Sequence, residues 1–269
     1  MPSLFEPVED ARLLPTDYAR GPWTPDALHG GPVAALLAGV AEQAADAGAG
    51  GIPFLPTRLT VELLRPVPVA PLRIEGRLVR PGRKVQLAEA DVLDEAGTLL
   101  ATARLLRLRA AEVAAPITTA VAPPPGPETA KATELVSIGY DAFHNRGVEH
   151  RFVAGTFVDP GPATDWIRLR VPVVPGSAPT PLQRVAAAAD FGNGVSRVAD
   201  FTELMFINPD LTIHLHRLPA GEWVCLEAVT WMEGNGTALA ESRLWDEHGP
   251  IGRSLQGLLV EGRPSALSG

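Results

Sequence analysis

The chain has one cysteine among its 269 residues, Cys225. A single thiol excludes an internal disulfide and any metal site built from several cysteines, and inside the apolar segment WVCLEA it reads as a core filler rather than a nucleophile. No uncharged apolar run approaches the roughly 18 residues that a membrane-spanning helix requires, and MPSLFEPVED has neither the basic start nor the apolar stretch of a secretory leader. No membrane span is expected, and the expected location is cytoplasmic. Positive charge is scarce as well: 23 Lys and Arg stand against 31 Asp and Glu, a formal charge of -8. Binding a phosphate backbone needs a basic face, so nucleic acid is excluded as a partner, and no basic helix-turn-helix segment points to a DNA-binding sensor. Arg80, Arg83 and Lys84 in RPGRKV, and Arg104, Arg107 and Arg109 in ARLLRLR, are candidates for holding an anion. Solvated charges at turns and strand edges are the plainer account of each.

What is present is the composition of a folded domain, 46% hydrophobic and 20% charged, with enough apolar residues for a sizeable core. Ala110 to Ala130, AAEVAAPITTAVAPPPGPETA, has no sustained periodicity and reads as a surface linker. It nearly halves the chain, and the halves are alike. Sliding the sequence by 152 residues sets RLTVELLRP, from Arg58, over DLTIHLHRL, from Asp210. It also sets AEADVLDEAG, from Ala88, over AESRLWDEHG, from Ala240, with no gap between the blocks. Leu59/Leu211, Thr60/Thr212, Arg65/Arg217, Asp94/Asp246 and Gly97/Gly249 are identical pairs, the fixed-period self-similarity of a duplicated unit. The expected division is a first unit over 1–110, a linker over 111–135 and a second unit over 136–269.

Each unit carries one order of elements. GPVAALLAGVAEQAADAG predicts a long helix with Pro32 in its first turn; LTVELLRP, LRIEGRLVR, VQLAEADVLD and TLLATARLLRLR follow as strands. In the second half LQRVAAAADFGNGVSRVA is the helix, followed by LTIHLHRL, WVCLEAVTWM, TALAESRLWD and IGRSLQGLLVEG. HRFVAGTFVDP and WIRLRVPVV supply strands before it. A helix followed by an antiparallel meander, twice over, predicts an α+β fold in which each sheet curls around its helix.

Several positions invite a chemical reading. In AAAADFGNG, from Ala186 to Gly194, Asp190 closes an apolar helical run, where a desolvated carboxylate gains basicity. The plainer account is a helix-terminal residue bonding freed backbone groups, since FGNG follows at once. Gln256 lies inside the strand SLQGLL, where a buried amide needs partners, and Asn208 opens an Asn-Pro-Asp turn. His29-Gly30-Gly31-Pro32 precedes the first helix; glycines there admit a ligand to backbone N–H groups at the positive end of a helix dipole, or simply allow close packing. His214 and His216 alternate on one strand beside Arg217 without a third metal ligand at suitable spacing, which favours a half-exposed strand face. Tyr140, His144 and His150 are too scattered to assign.

Taken together, GPWTPDALHGGPVAALL in the first half and LQRVAAAADFGNG, FINPDLTIHLHR and SLQGLL in the second resemble the TesB-like acyl-CoA thioesterases, over nearly the whole chain outside the linker and the ends. The resemblance implies a double hotdog, two fused antiparallel sheets each wrapped around a long central helix. It implies hydrolysis of an acyl-CoA to free acid and CoA, with CoA as substrate, no cofactor and no metal. In that family an Asp on the second central helix, a polar residue before the next long strand and a Gln on the last strand surround the hydrolytic water. Motif for motif they fall on Asp190, Asn208 and Gln256. Asn208 stands where the best-known members have Thr, and it can still donate and accept.

By the same resemblance His29, Gly30 and Gly31 become ligand contacts supplied by the opposite half, and Trp23 and Phe191 linings of the acyl pocket, although large aromatics serve equally as core. The duplication adds an asymmetry: the same offset places Ala38 opposite Asp190, Pro56 opposite Asn208 and Arg104 opposite Gln256. One half keeps the polar set and the other lacks it, as expected if one half retains the chemistry. Attack by an activated water and direct attack by Asp190 through a mixed anhydride both remain open. Two rivals are a hotdog hydratase or dehydratase, which would place an Asp and a His in one motif, and a noncatalytic acyl-CoA or lipid-binding module. No histidine occurs in FGNGVSRVADF after Asp190, against the first; turnover separates the second. A homo-oligomer, dimer or tetramer, is the expected assembly.

Overall fold

The computed structural model describes residues 2–114, 121–135 and 139–263. Part of the expected linker, 115–120, and the start of the expected second unit, 136–138, lie outside the described residues. The first half runs Phe5–Val8 (β1), Arg12–Pro15 (β2), Gly30–Asp46 (α1), Phe54–Leu63 (β3), Arg73–Arg80 (β4), Val85–Leu93 (β5) and Leu99–Arg109 (β6). The second runs Val148–Ala154 (β7), Ala163–Leu169 (β8), Pro181–Ala189 (α2), Gly192–Val195 (α3), Leu204–Ile207 (β9), Asp210–Leu215 (β10), Val224–Met232 (β11), Thr237–Asp246 (β12) and Gly249–Gly262 (β13). Among the described residues no helix is long and apolar enough to cross a membrane.

The strands form one antiparallel sheet in the order β4-β5-β6-β3-β10-β13-β12-β11-β8-β7, with β9 also on β13, while β1 and β2 pair separately. The halves meet where β3 lies against β10, and the repeat is the reason they can: Leu59, Thr60 and Val61 face Ile213, Thr212 and Leu211. Each half thus offers the other the same strand, running the opposite way, which satisfies both edges at once. Gly97 and Gly249 sit at matching hairpin turns with φ of 83° and 141°, conformations that a side chain disfavours.

The repeat loses one residue after those turns. Leu93 pairs with Leu99, whereas Trp245 pairs with Pro250. From there the two halves keep step one residue closer together, so Ala88 faces Leu105 where Ala240 faces Gln256. The structural counterpart of Gln256 is therefore Leu105, not Arg104. Strand periodicity demands this, since Leu105 and Gln256 both point inward and are buried, while Arg104 and Leu255 point outward. The asymmetry survives the correction, because Leu105 is apolar too.

α1 packs on β4, β5 and β6, α2 on β8 and β11, and the two helices pack against each other. Small residues let them approach: Ala34, Ala35, Ala38 and Ala41 on α1 and Ala186 to Ala189 on α2 are all buried. α1 is capped by the His29 ring, which lies 3.1 Å from the Gly31 N–H. α2 begins with a capping box, the Thr180 hydroxyl accepting from Gln183 N while the Gln183 side chain accepts from Thr180 N. The second central helix is not the long one that the sequence predicts. It stops at Ala189, passes through Asp190 and Phe191, and resumes as the single turn α3. The FGNG segment that follows has two glycines, each weakening helical continuity.

Candidate functional site

Asp190 is the C-cap of α2, 3% exposed. The break there frees backbone groups, and β13 supplies their partner: Gln256 Nε2 donates to the Asp190 carbonyl at 3.2 Å while Gln256 Oε1 accepts from Asn193 N at 3.1 Å. The same Nε2 lies 3.5 Å from Asp190 Oδ1. Asn208 occupies the interruption between β9 and β10, and its Nδ2 donates to Oδ1 at 2.8 Å. In the first half the corresponding stretch of β3 holds only a bulge between Pro56 and Arg58. In the second half the strand is interrupted at the matching place, and Asn208 in the gap bonds the carboxylate.

The other half completes the cluster. His29 Nδ1 lies 2.8 Å from Asp190 Oδ2, bringing the N-terminus of α1 against the C-terminus of α2. Gly30 lies so close that a methyl group on it would stand 2.7 Å from Oδ1 and 2.8 Å from Oδ2. Gly31 serves packing: a methyl there would meet the Ala187 carbonyl and the Phe143 ring, each at 2.8 Å. The structure thus gathers Asp190, Asn208, Gln256, His29 and Gly30 around one carboxylate. Phe191 is buried against the His29 and Phe143 rings, at 4.7 and 5.4 Å between centroids. Trp23 stands apart, edge-on to Phe201 and Phe206 and beneath the Arg263 guanidinium.

The corresponding place in the first half is plugged. Gln183, on the first turn of α2, packs its side chain over Gly39 of α1, where Asp190 packs on Gly30 at the other end. Thr180 donates to Glu42 at 2.6 Å there; burial pushes the Glu42 carboxyl up against the lowering effect of that hydrogen bond. Ala38 is fully buried among apolar neighbours.

Other sequence candidates fall elsewhere. Arg107 is buried, not solvated, and bonds to Asp46 and to Gln86. Arg104 pairs with Glu89 at 2.7 Å. His214 and His216 are exposed. Cys225 is buried, and burial pushes its thiol up, so it stays protonated. Tyr140 donates to the Gly21 carbonyl at 3.0 Å. The buried pair formed by His150 Nδ1 and Asp165 Oδ2, 2.6 Å apart, has no counterpart in the sequence reading. A polar residue at an inward strand position was its available signal, but which strand would face β7 was not legible. The segment FGNGVSRVADF that follows Asp190 has no histidine, and the fold supplies one from 161 positions upstream, His29.

The sequence profile of the acyl-CoA thioesterase N-terminal domain matches residues 19–122, and that of the acyl-CoA thioesterase C-terminal domain matches residues 118–260. A comparison with curated proteins gives no match. Among solved structures, a Thermobifida fusca protein proposed to be a thioesterase II superposes with a TM-score of 0.72 at 21% identity, covering 96% of this chain and 95% of that one. A protein from Alicyclobacillus acidocaldarius described as having the hot dog fold gives 0.69 at 17%, covering 94% and 95%. The tesB protein of Mycobacterium avium subsp. paratuberculosis gives 0.66 at 17%, covering 96% of both chains.

Proposed function

Because the chain belongs to the acyl-CoA thioesterase family and is a thioester hydrolase, we propose that it cleaves acyl-CoA to free acid and CoA with a water activated at Asp190. The observation that carries this reading is the gathering of His29, Asn208 and Gln256 on one buried carboxylate. A carboxylate that accepts from Asn208 at one oxygen and meets His29 at the other is held in one orientation, the requirement for a positioned base.

His29 Nδ1 has either a proton or a lone pair, yet it lies within reach of both the Gly31 N–H and Asp190 Oδ2. An ionised carboxylate cannot donate, so beside Asp190 in that state Nδ1 carries the proton and donates to Oδ2. The Gly31 N–H is then released to a ligand oxygen at the positive end of α1. In the cycle we infer, Asp190 takes a proton from water as the oxygen bonds to the thioester carbon. The carbonyl oxygen becomes the oxyanion facing the N–H groups of Gly30 and Gly31. The C–S bond then breaks, its electron pair leaving with sulfur, and the proton held by Asp190 passes to the CoA thiolate.

The test is thiol release from short-, medium- and long-chain acyl-CoAs by wild type and Asp190→Asn. A loss of about a hundredfold or more in kcat, the lower end of what removing a general base costs, supports the reading. Equal rates would remove Asp190 from the chemistry.

A further inference from the structure

Phe191, the residue after Asp190, has two imidazoles against it, His29 at 4.7 Å and His150 at 4.8 Å between ring centroids. The hydrolytic cycle uses the first and leaves the second without a role. His150, on β7, is 1% exposed, and its partner Asp165, on β8, is fully buried. Asp165 Oδ2 holds His150 Nδ1 at 2.6 Å, and Oδ1 accepts the Arg151 N–H at 3.0 Å. Both carboxylate oxygens are thereby engaged, and the imidazole is fixed with Nδ1 toward the acid. Nε2 is buried and has no hydrogen-bond partner among the described residues.

A purely structural pair has no use for that nitrogen. Two apolar side chains of similar shape would fill the same space without leaving a buried acceptor unsatisfied. An Asp-oriented histidine with a free Nε2 is instead a point built to receive a donor. Its surroundings are aromatic: Phe152 stacks on the ring, Phe191 meets it nearly at right angles, and Phe143 stacks on Phe191 in turn. One polar atom in an aromatic-lined interior suits an alkyl chain bearing one polar substituent. The acyl end of the substrate, rather than the pantetheine arm that must lead out to solvent, is the part that can enter so buried a place.

We propose that the acyl site continues past the Phe191 ring to the His150–Asp165 pair, where His150 Nε2 accepts a hydrogen bond from a hydroxyl on the acyl chain. The enzyme then selects hydroxyacyl-CoA thioesters, an inference that rests on the thioesterase reading above. The two imidazole centroids lie no more than about 9.5 Å apart, a span that at most about eight chain carbons cover. Phe191 fills the intervening space in this structure and must turn aside for the chain to pass.

The experiment compares kcat/KM for saturated acyl-CoAs with that for hydroxyacyl-CoAs of equal length, the hydroxyl moved along the chain, in wild type and in the double variant His150→Phe with Asp165→Leu. Wild type is expected to favour hydroxyl at one or two adjacent positions by about tenfold or more. The variant is expected to lose that ratio. No preference at any position in wild type, or a ratio unchanged in the variant, overturns the proposal. Dissociation constants of non-hydrolysable thioether analogues, measured on wild type alone, keep the test independent of the variant's folding and of turnover. Tighter binding of a hydroxylated analogue by an enzyme that hydrolyses none of the acyl-CoAs would keep the His150 contact and sink the Asp190 mechanism; equal binding of all analogues would sink the contact.

Discussion

Thr60 and Thr212 face each other across the β3–β10 join, each the other's counterpart in the repeat. The pairs on either side are crosswise equivalents, Leu59 with Ile213 and Val61 with Leu211, so a local two-fold axis passes between the threonines. The axis explains why α1 and α2 lie antiparallel and why two potential sites arise, one at each end of the helix pair. Only one is equipped, and the contrast between the two ends generates most of the expectations below.

Restoring an acid to the plugged end should not create a second site. Ala38→Asp places a carboxylate in a fully buried position, without the glycine opening or the amides that Asp190 enjoys. It is expected to cost about 2 kcal/mol or more, read as a lower denaturant midpoint, with no gain in thioesterase rate. A doubled rate would mean that the plugged end is functional.

Gly30→Ala and Gly31→Ala should separate catalysis from folding. The added methyl at Gly30 meets the end of the Asp190 side chain, which can shift, so kcat falls while stability is nearly kept. At Gly31 it meets the Ala187 carbonyl, which is backbone and cannot give, and a loss of about 1–3 kcal/mol is expected. Thermal melts beside thiol-release rates check both.

His29→Ala removes the group that meets Asp190 Oδ2. A kcat loss of about tenfold to a hundredfold is expected. His29→Asn keeps a donor near the position of Nδ1 and a good N-cap, and should recover part of the rate. Equal rates for the two variants would argue against donation to Asp190.

Asp246 gives a pH expectation. Burial pushes its carboxyl up, but the Arg217 guanidinium, bonded to both oxygens at 2.5 and 2.6 Å, and the N–H groups of Ala220 and His248 together hold it below the ordinary range. A carboxyl lowered by folding contributes stability that is complete above its unfolded value, near pH 4, and lost as pH falls through the folded value. Asp246→Asn should cost about 2 kcal/mol at neutral pH, less than for a wholly buried pair because Arg217 is partly exposed. Melting curves from pH 7 to pH 2 should show wild type losing this advantage over the variant only below pH 4.

Much of the fold was legible because strands and helices announce themselves by local periodicity. TALAESRLWD coincides with β12, and GPVAALLAGVAEQAADAG overlaps nearly all of α1. The break in the second helix was harder, since the four alanines before Asp190 favour continuation and only the glycines after it oppose. Gln256 was matched to Arg104 by counting, and the count failed at a hairpin one residue shorter, a feature that pairing alone exposes. Asp190, Gln256 and Asn208 could be named from their motifs and from their absence in the other half. That His29 would meet Asp190 could not, because two segments of different halves come together only when the helices pack.

The sequence by itself determined the duplication and the order of elements in each half, which depend on residue type and local spacing, and its motifs made Asp190 the candidate acid. Tertiary structure decided that Gln183 covers Gly39 at one end of the helix pair while Asp190 covers Gly30 at the other. It also set His29 against Asp190 and left His150 Nε2 without a donor. Those outcomes depend on distances between segments far apart in the chain, fixed by the antiparallel contact of two alanine-rich helices and by the register of β3 on β10.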